Sequence, residues 1–167
     1  GSFWLTEHAP IGTDIALRVR RNAGFHAPLD DQPLLLIGNG TGIAGLRAHL
    51  KDRARLGRTR NWLIFGERNQ ARDFHYGGDI EAWHANGVIQ RLDLAFSRDQ
   101  DSRVYVQHRL RDAASDVRAW VDAGAAIYVC GSLEGMAPAV DTTLADLLSA
   151  ETLERMEADG RYRRDVY

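Results

Sequence analysis

Cysteine is almost missing from this 167-residue chain, with Cys130 standing alone. One thiol cannot close an internal disulfide, and a reducing, cytoplasmic setting is expected. The six histidines (8, 26, 49, 75, 84 and 108) show no metal-ligand spacing, so no metal site is expected. No Ser-His-Asp arrangement can be argued. Charge of one sign is also lacking. Lys and Arg total 21 against 23 Asp and Glu, a formal net charge of -2. That balance argues against a general binder of nucleic acid or membrane surfaces and leaves local basic clusters open. No apolar run is long enough to span a bilayer, and no signal peptide is visible. There is no internal repeat and no low-complexity segment. The opening Gly1-Ser2 reads as a cloning scar, so the chain is expected to be cut from a longer protein.

What is present is the composition of a soluble globular domain, 44% hydrophobic and 26% charged. From residue 33 onward, short apolar runs alternate with helical patterns. "PLLLIG" (33–38), "NWLIFGE" (61–67), part of "VIQRLDLAFS" (88–97) and "AIYVCG" (126–131) predict buried strands, and "RYRRDVY" is a β-like tail. Helical spacing runs through Ile43, Leu46, Leu50 and Ala54. It recurs through 79–87, through Leu110, Ala113, Val117, Trp120 and Val121, and through Met136, Val140, Leu144, Leu147 and Leu148. Glycines 57, 87 and 124 stand at the expected helix stops. The pattern predicts an α/β fold, an open five-stranded parallel sheet with helices on both faces. Before it, "DIALRVRR" (14–21) alternates apolar and polar residues like an antiparallel strand with one wet face. It has no obvious partner in the chain and reads as the last piece of a preceding β domain.

"GNGTGIAG" (38–45) follows the first strand directly. At the carboxyl end of a parallel strand, close-approaching glycine backbone and a helix N-terminus favour a phosphate. A Walker A loop is excluded, because Leu46-Arg47 stands where lysine and a hydroxyl residue are required. Gly40-x-Gly42-x-x-Gly45 fits the Rossmann fingerprint, with Glu67 placed for a ribose; the alternative is a tight turn that binds nothing. "AFSRDQDSRVYVQ" (95–107) brings Ser97, Arg98, Arg103 and Tyr105 together after the third strand. By itself this could be a solvated charged loop. Beside a pyrophosphate loop, two guanidinium groups and a hydroxyl suit a dianionic phosphomonoester such as the 2′-phosphate of NADPH, with Tyr105 stacking on adenine.

"GNGTGIAGLRAHL", "LIFGERN", "DLAFSRDQ", "VYVQHRL", "IYVCGS" and "GRYRRDVY" occur in that order. Together they resemble the NADP-binding domain of the ferredoxin–NADP reductase superfamily, most of all its sulfite reductase flavoprotein and diflavin branch, over residues 25–167. The resemblance implies that residues 32–167 form the NADP-binding domain and residues 1–31 the C-terminal edge of a preceding FAD-binding β-barrel. It implies that Gly38, Gly40, Thr41, Gly42 and Arg68 hold the cofactor pyrophosphate. Ser97, Arg98 and Arg103 would hold the 2′-phosphate, with Tyr105 on adenine and Gln107 adding a hydrogen bond. Cys130 and Asp165 match residues lining the site of hydride transfer, and Tyr167 the terminal aromatic that covers the flavin. The cofactors implied are NADPH and FAD, the latter bound mainly by the preceding domain. The partners implied are that FAD-binding domain in the same polypeptide and a downstream electron acceptor.

The chain departs from the family pattern in places. Asn39 and Gly45 replace the two prolines of the usual G-P-G-T-G-I-A-P loop, and Ser132 stands where many relatives carry aspartate. The variant loop, with "WLTEH" and "FHAP" before it, resembles a bacterial membrane-anchored branch associated with iron acquisition, which implies a parent at the cytoplasmic face of a membrane. A chain without the FAD-binding part is expected to bind NADP(H) without tight FAD binding or turnover. Two other readings remain open: an NAD-dependent Rossmann dehydrogenase using Glu67, and a non-catalytic nucleotide-binding regulatory domain.

Overall fold

A computed structural model describes residues 2–19, 21–28 and 30–167. A short helix α1 (Ser2–Glu7) opens the chain. The sheet domain then runs β1 (Leu34–Asn39), α2 (Ile43–Arg55), β2 (Asn61–Glu67), α3 (Gln70–Asp73), α4 (Gly77–Ala85) and β3 (Arg91–Phe96). It continues with α5 (Val106–Asp112), α6 (Ala114–Asp122), β4 (Ala126–Gly131), α7 (Met136–Leu148), α8 (Ala150–Ala158) and β5 (Tyr162–Val166).

All five strands are parallel in the order β3-β2-β1-β4-β5. β1 is central and pairs Leu36 with Leu63 on one side and with Tyr128 on the other. The two-residue side-chain period then divides the core in two. Leu35, Ile37, Trp62, Ile64, Ile127 and Val129 face one helix layer with Val106, Leu110, Val140 and Leu144. Leu34, Leu36, Leu63, Phe65 and Tyr128 face the other, with Ile43, Leu46, Leu50 and Ile80. Both faces of β1, β2 and β4 are covered, which is why these segments are nearly continuous apolar runs. The chain turns from β1 to β2 and β3 on one side, then crosses to β4 and β5 on the other. The reversal falls between β1 and β4, so their carboxyl ends frame the crevice.

Three features differ from the sequence reading. The helix expected from 106 to 124 bends at Ala113 (φ −104°, ψ 24°), although Ala113 N still donates to Arg109 O and Val117 N to Ala113 O. The helix after β4 is two helices. Ser149, at φ 78°, ends α7, and its Oγ accepts from Thr152 N to cap α8, which buries Leu153 and Met156. The strand expected over 14–21 does not form: residues 13–19 have no regular structure, with Ile15, Leu17 and Val19 exposed, and Arg20 lies outside the described residues. A lone strand has no ladder for its backbone groups, so alternation without a neighbour leaves it unpaired.

Residues 23–28 and 31–32, in contrast, are fastened to the sheet domain. Phe25 packs in a ring cluster with His49 and Tyr128, and the Tyr128 hydroxyl donates to His26 O at 2.6 Å. At the amino ends of β1 and β2, buried Arg53 donates to the Asn61 side chain and to Gln32 O. Among the described residues, no helix is long and apolar enough to cross a membrane.

Candidate functional site at the carboxyl ends of the strands

The glycine loop is a 3₁₀ turn, Gly40–Gly42, between β1 and α2. Its glycines serve different needs. Gly40 has φ +55°, a left-handed conformation that side chains disfavour. Gly42 is set by contact: a Cβ there would lie 2.1 Å from Cys130 O. Gly38 is equally confined, with Cys130 O at 2.4 Å from its ideal Cβ. The turn is thus seated against the backbone of β4. Gly45, which replaces a proline of the usual loop, would bring a Cβ within 3.1 Å of Cys130 Sγ. Asn39, which replaces the other, accepts from Ser132 N through Oδ1 at 3.0 Å and ties the ends of β1 and β4.

On the other side, the loops after β2 and β3 continue the ladder. Ser97 N donates to Glu67 O and Arg98 N to Arg68 O, both at 2.8 Å. A cavity of about 630 Å³ opens between these loops, the glycine turn and the start of α5. Gly40, Thr41 and Arg68 line it, as do Ser97, Arg98, Arg103, Tyr105 and Gln107. Three arginines line it against two acidic residues, Glu67 and Asp73, so the charge of its lining suits an anion although the chain as a whole is acidic. Tyr105 precedes α5, and its N–H donates to His108 Nδ1 at 3.2 Å.

Gly38 and Gly42 lie behind the cavity, in the packing of the turn on β4. Cys130, Asp165 and Tyr167 lie outside its wall as well. Cys130 is 2% exposed, and burial, with Asp165 nearby, pushes its thiol up to about 11. It is therefore a neutral thiol at physiological pH. Asp165 pairs with it across β4 and β5. Tyr167 N donates to Gly131 O and Leu133 N donates to Tyr167 O, pinning the last residue to the loop after β4. Its hydroxyl lies 2.9 Å from Thr41 Oγ1, which joins this C-terminal group to the glycine turn.

The sequence reading did not place Asp73, His75, Gly135 and Met136 at the cavity. Asp73 and His75 reach it from the segment after β2, and the only available signal was their closeness to "GERN". Gly135 ends the loop after β4 and Met136 opens α7; Met136, one of the apolar positions of the helical pattern, is both buried and at the cavity edge.

A doubly covered parallel sheet with a glycine turn and an arginine-lined cavity at its switch point defines a nucleotide-binding α/β domain. The chain belongs to the oxidoreductase NAD-binding domain family, whose model matches residues 36–142. It is 39% identical to the sulfite reductase [NADPH] flavoprotein alpha-component of Vibrio cholerae, over 99% of this chain and 29% of that protein. The proteins of the same name from Neisseria meningitidis and Bacillus subtilis are 39% and 34% identical, over 89% and 99% of this chain. The chain spans less than a third of the length of these curated relatives.

Proposed function

We propose that this chain is the NADPH-binding part of a flavin-dependent reductase, in which it positions NADPH for hydride transfer to an FAD held by a preceding domain of the same polypeptide. The observation that carries this reading is the meeting of the glycine turn with Arg68, Ser97, Arg98 and Arg103 around one cavity. The residues fit a dinucleotide with phosphates at two places. Gly40 leaves backbone free of a side chain where a pyrophosphate would approach, Thr41 lines the cavity beside it, Gly42 lets the turn seat on β4, and Arg68 adds charge at the same end. Ser97, Arg98 and Arg103 offer the donors that a 2′-phosphomonoester requires, with Tyr105 beside them for the adenine and Gln107 for a further hydrogen bond. Bound NADPH supplies a hydride from its nicotinamide ring, so the protein's task is to align that ring and keep water away.

Cys130, Asp165 and Tyr167 take the nicotinamide end in this reading. The Thr41–Tyr167 contact supports it, because it brings the terminal ring to the edge of the glycine turn. A thiol pushed up to about 11 acts as a neutral neighbour and not as a thiolate. Within the stretch 1–31, the exposed Ile11, Ile15, Leu17 and Val19 support an edge against the FAD-binding domain, whereas Phe25 and His26 pack on the sheet domain. Electrons then pass to an acceptor, and the sulfite reductase names of the relatives favour a sulfite-reducing subunit.

The test is affinity for NADP⁺ and NAD⁺ before and after Arg98→Ala. The unsubstituted chain should favour NADP⁺ by at least about tenfold, and the substitution should remove most of that preference, as expected for a lost charge-assisted pair. Equal affinities in the unsubstituted chain would return the NAD-dependent dehydrogenase reading.

A further inference from the structure

Asp99 does not line the cavity, yet it spans the two loops that carry Arg68 and Arg98. Its Oδ1 accepts from Asn69 Nδ2 and its Oδ2 from Gln70 N, both at 2.8 Å. These bonds lie beyond the last ladder pair, Glu67 with Phe96. There, among the described residues, the backbone bonds between the two loops are Ser97 N to Glu67 O and Arg98 N to Arg68 O. Asn69 is itself fixed, its N–H donating to Asp73 Oδ2 at 3.0 Å, and Gln100 Nε2 donates to Phe96 O at 2.6 Å on the other strand end. The Asn69 and Gln70 hydrogen bonds hold the Asp99 carboxyl below its usual range, so it is ionised at neutral pH.

A negative charge next to Arg98 opposes phosphate binding through its field. Its place is explained if its hydrogen bonds matter more than its charge. Resting on the NADPH reading, we propose that Asp99 is a positioning residue that ties the β2 and β3 loops at one spacing, so that Arg68 and Arg98 engage the pyrophosphate and the 2′-phosphate of a single ligand together. A ligand touching both ends depends on that spacing, whereas a ligand touching one end does not.

The two effects have opposite signs, which makes the test decisive. Calorimetric titration of this chain and of its Asp99→Ala and Asp99→Asn variants would use NADP⁺, NAD⁺ and adenosine 2′-monophosphate, which carries only one end. Asp99→Ala should weaken NADP⁺ by about fivefold or more and leave adenosine 2′-monophosphate unchanged or slightly tighter. Asp99→Asn keeps both bonds if the Asn69 amide turns over, because the new amide then donates to Asn69 Oδ1 and accepts from Gln70 N. It should bind NADP⁺ at least as tightly as the unsubstituted chain. Asp99→Ala binding NADP⁺ as well as the unsubstituted chain or better overturns the proposal, as does equal weakening of both ligands or Asn failing to rescue. If the unsubstituted chain does not favour NADP⁺ over NAD⁺, the NADPH reading fails first and this inference falls with it.

Discussion

Gly42→Ala tests how the glycine turn is built. A methyl group at Gly42 would meet Cys130 O at 2.1 Å, Cys130 C at 2.5 Å and Gly131 N at 2.8 Å. All three are backbone atoms of β4 or its end, so no side chain can swing away. Reaching ordinary contact requires roughly 1.3 Å of movement between the turn and the strand. Overpacking of this kind costs about 1–3 kcal/mol, and rigid neighbours put it near the upper figure. For a chain of this size, about 2–3 kcal/mol lowers Tm by roughly 5–10 °C. The displaced turn also loses its fit to a phosphate, and one lost amide–phosphate hydrogen bond weakens binding about tenfold. Thermal unfolding and calorimetric titration with NADP⁺ read the two effects. Gly78→Ala is the control, because nothing lies within 4 Å of its added methyl and its backbone is helical; it should raise stability by about 0.4–1 kcal/mol, opposite in sign to Gly42→Ala. Gly42→Ala with unchanged Tm and unchanged NADP⁺ affinity would refute the account of the turn.

Other outcomes follow from the packing around the sheet. His49 is lowered to about 4, first by burial, with His26 and Arg53 adding to the effect and Asp52 and the Phe25 backbone opposing it. Between pH about 6.5 and 4 the unfolded chain takes up a proton that the folded protein refuses, so stability falls as pH falls. His49→Phe should reduce the loss of unfolding free energy between pH 7 and 4.5 by about 2–3 kcal/mol, measured by urea denaturation; parallel pH profiles would contradict it. Tyr128→Phe removes the donor to His26 O and should cost about 1 kcal/mol in the same assay at pH 7. Arg53→Ala strips the Asn61 side chain and Gln32 O of a buried donor and should cost about 3 kcal/mol, with no change in cost below that of Tyr128→Phe tolerated by this account.

The sheet was legible because its strands are covered on both faces: "LLLI", "WLIF" and "IYVC" could hardly be exposed, and the helical spacing between them allowed only crossover connections. The strand ends were also legible, since glycines and arginines accumulate there. The bends were not. Ala113 has no side-chain signal for leaving helical geometry, and Ser149 serves both as a left-handed stop and as the cap of α8, which a periodicity reading runs together. The alternation in 14–21 misled because period-2 patterning reports a face and says nothing of a partner strand. Asp73 and His75 reach the cavity through the fold of the segment after β2. Asp99 was hidden for a related reason, because its partners Asn69 and Gln70 are thirty and twenty-nine residues away in sequence.

The most direct measurement is calorimetric titration of this chain with NADP⁺, NAD⁺ and 2′-phospho-AMP. The account predicts that NADP⁺ and 2′-phospho-AMP bind and that NAD⁺ binds at least about tenfold more weakly, because the Ser97-Arg98-Arg103 group then has no phosphate to hold. Equal binding of NAD⁺ and NADP⁺, with none of 2′-phospho-AMP, would contradict it.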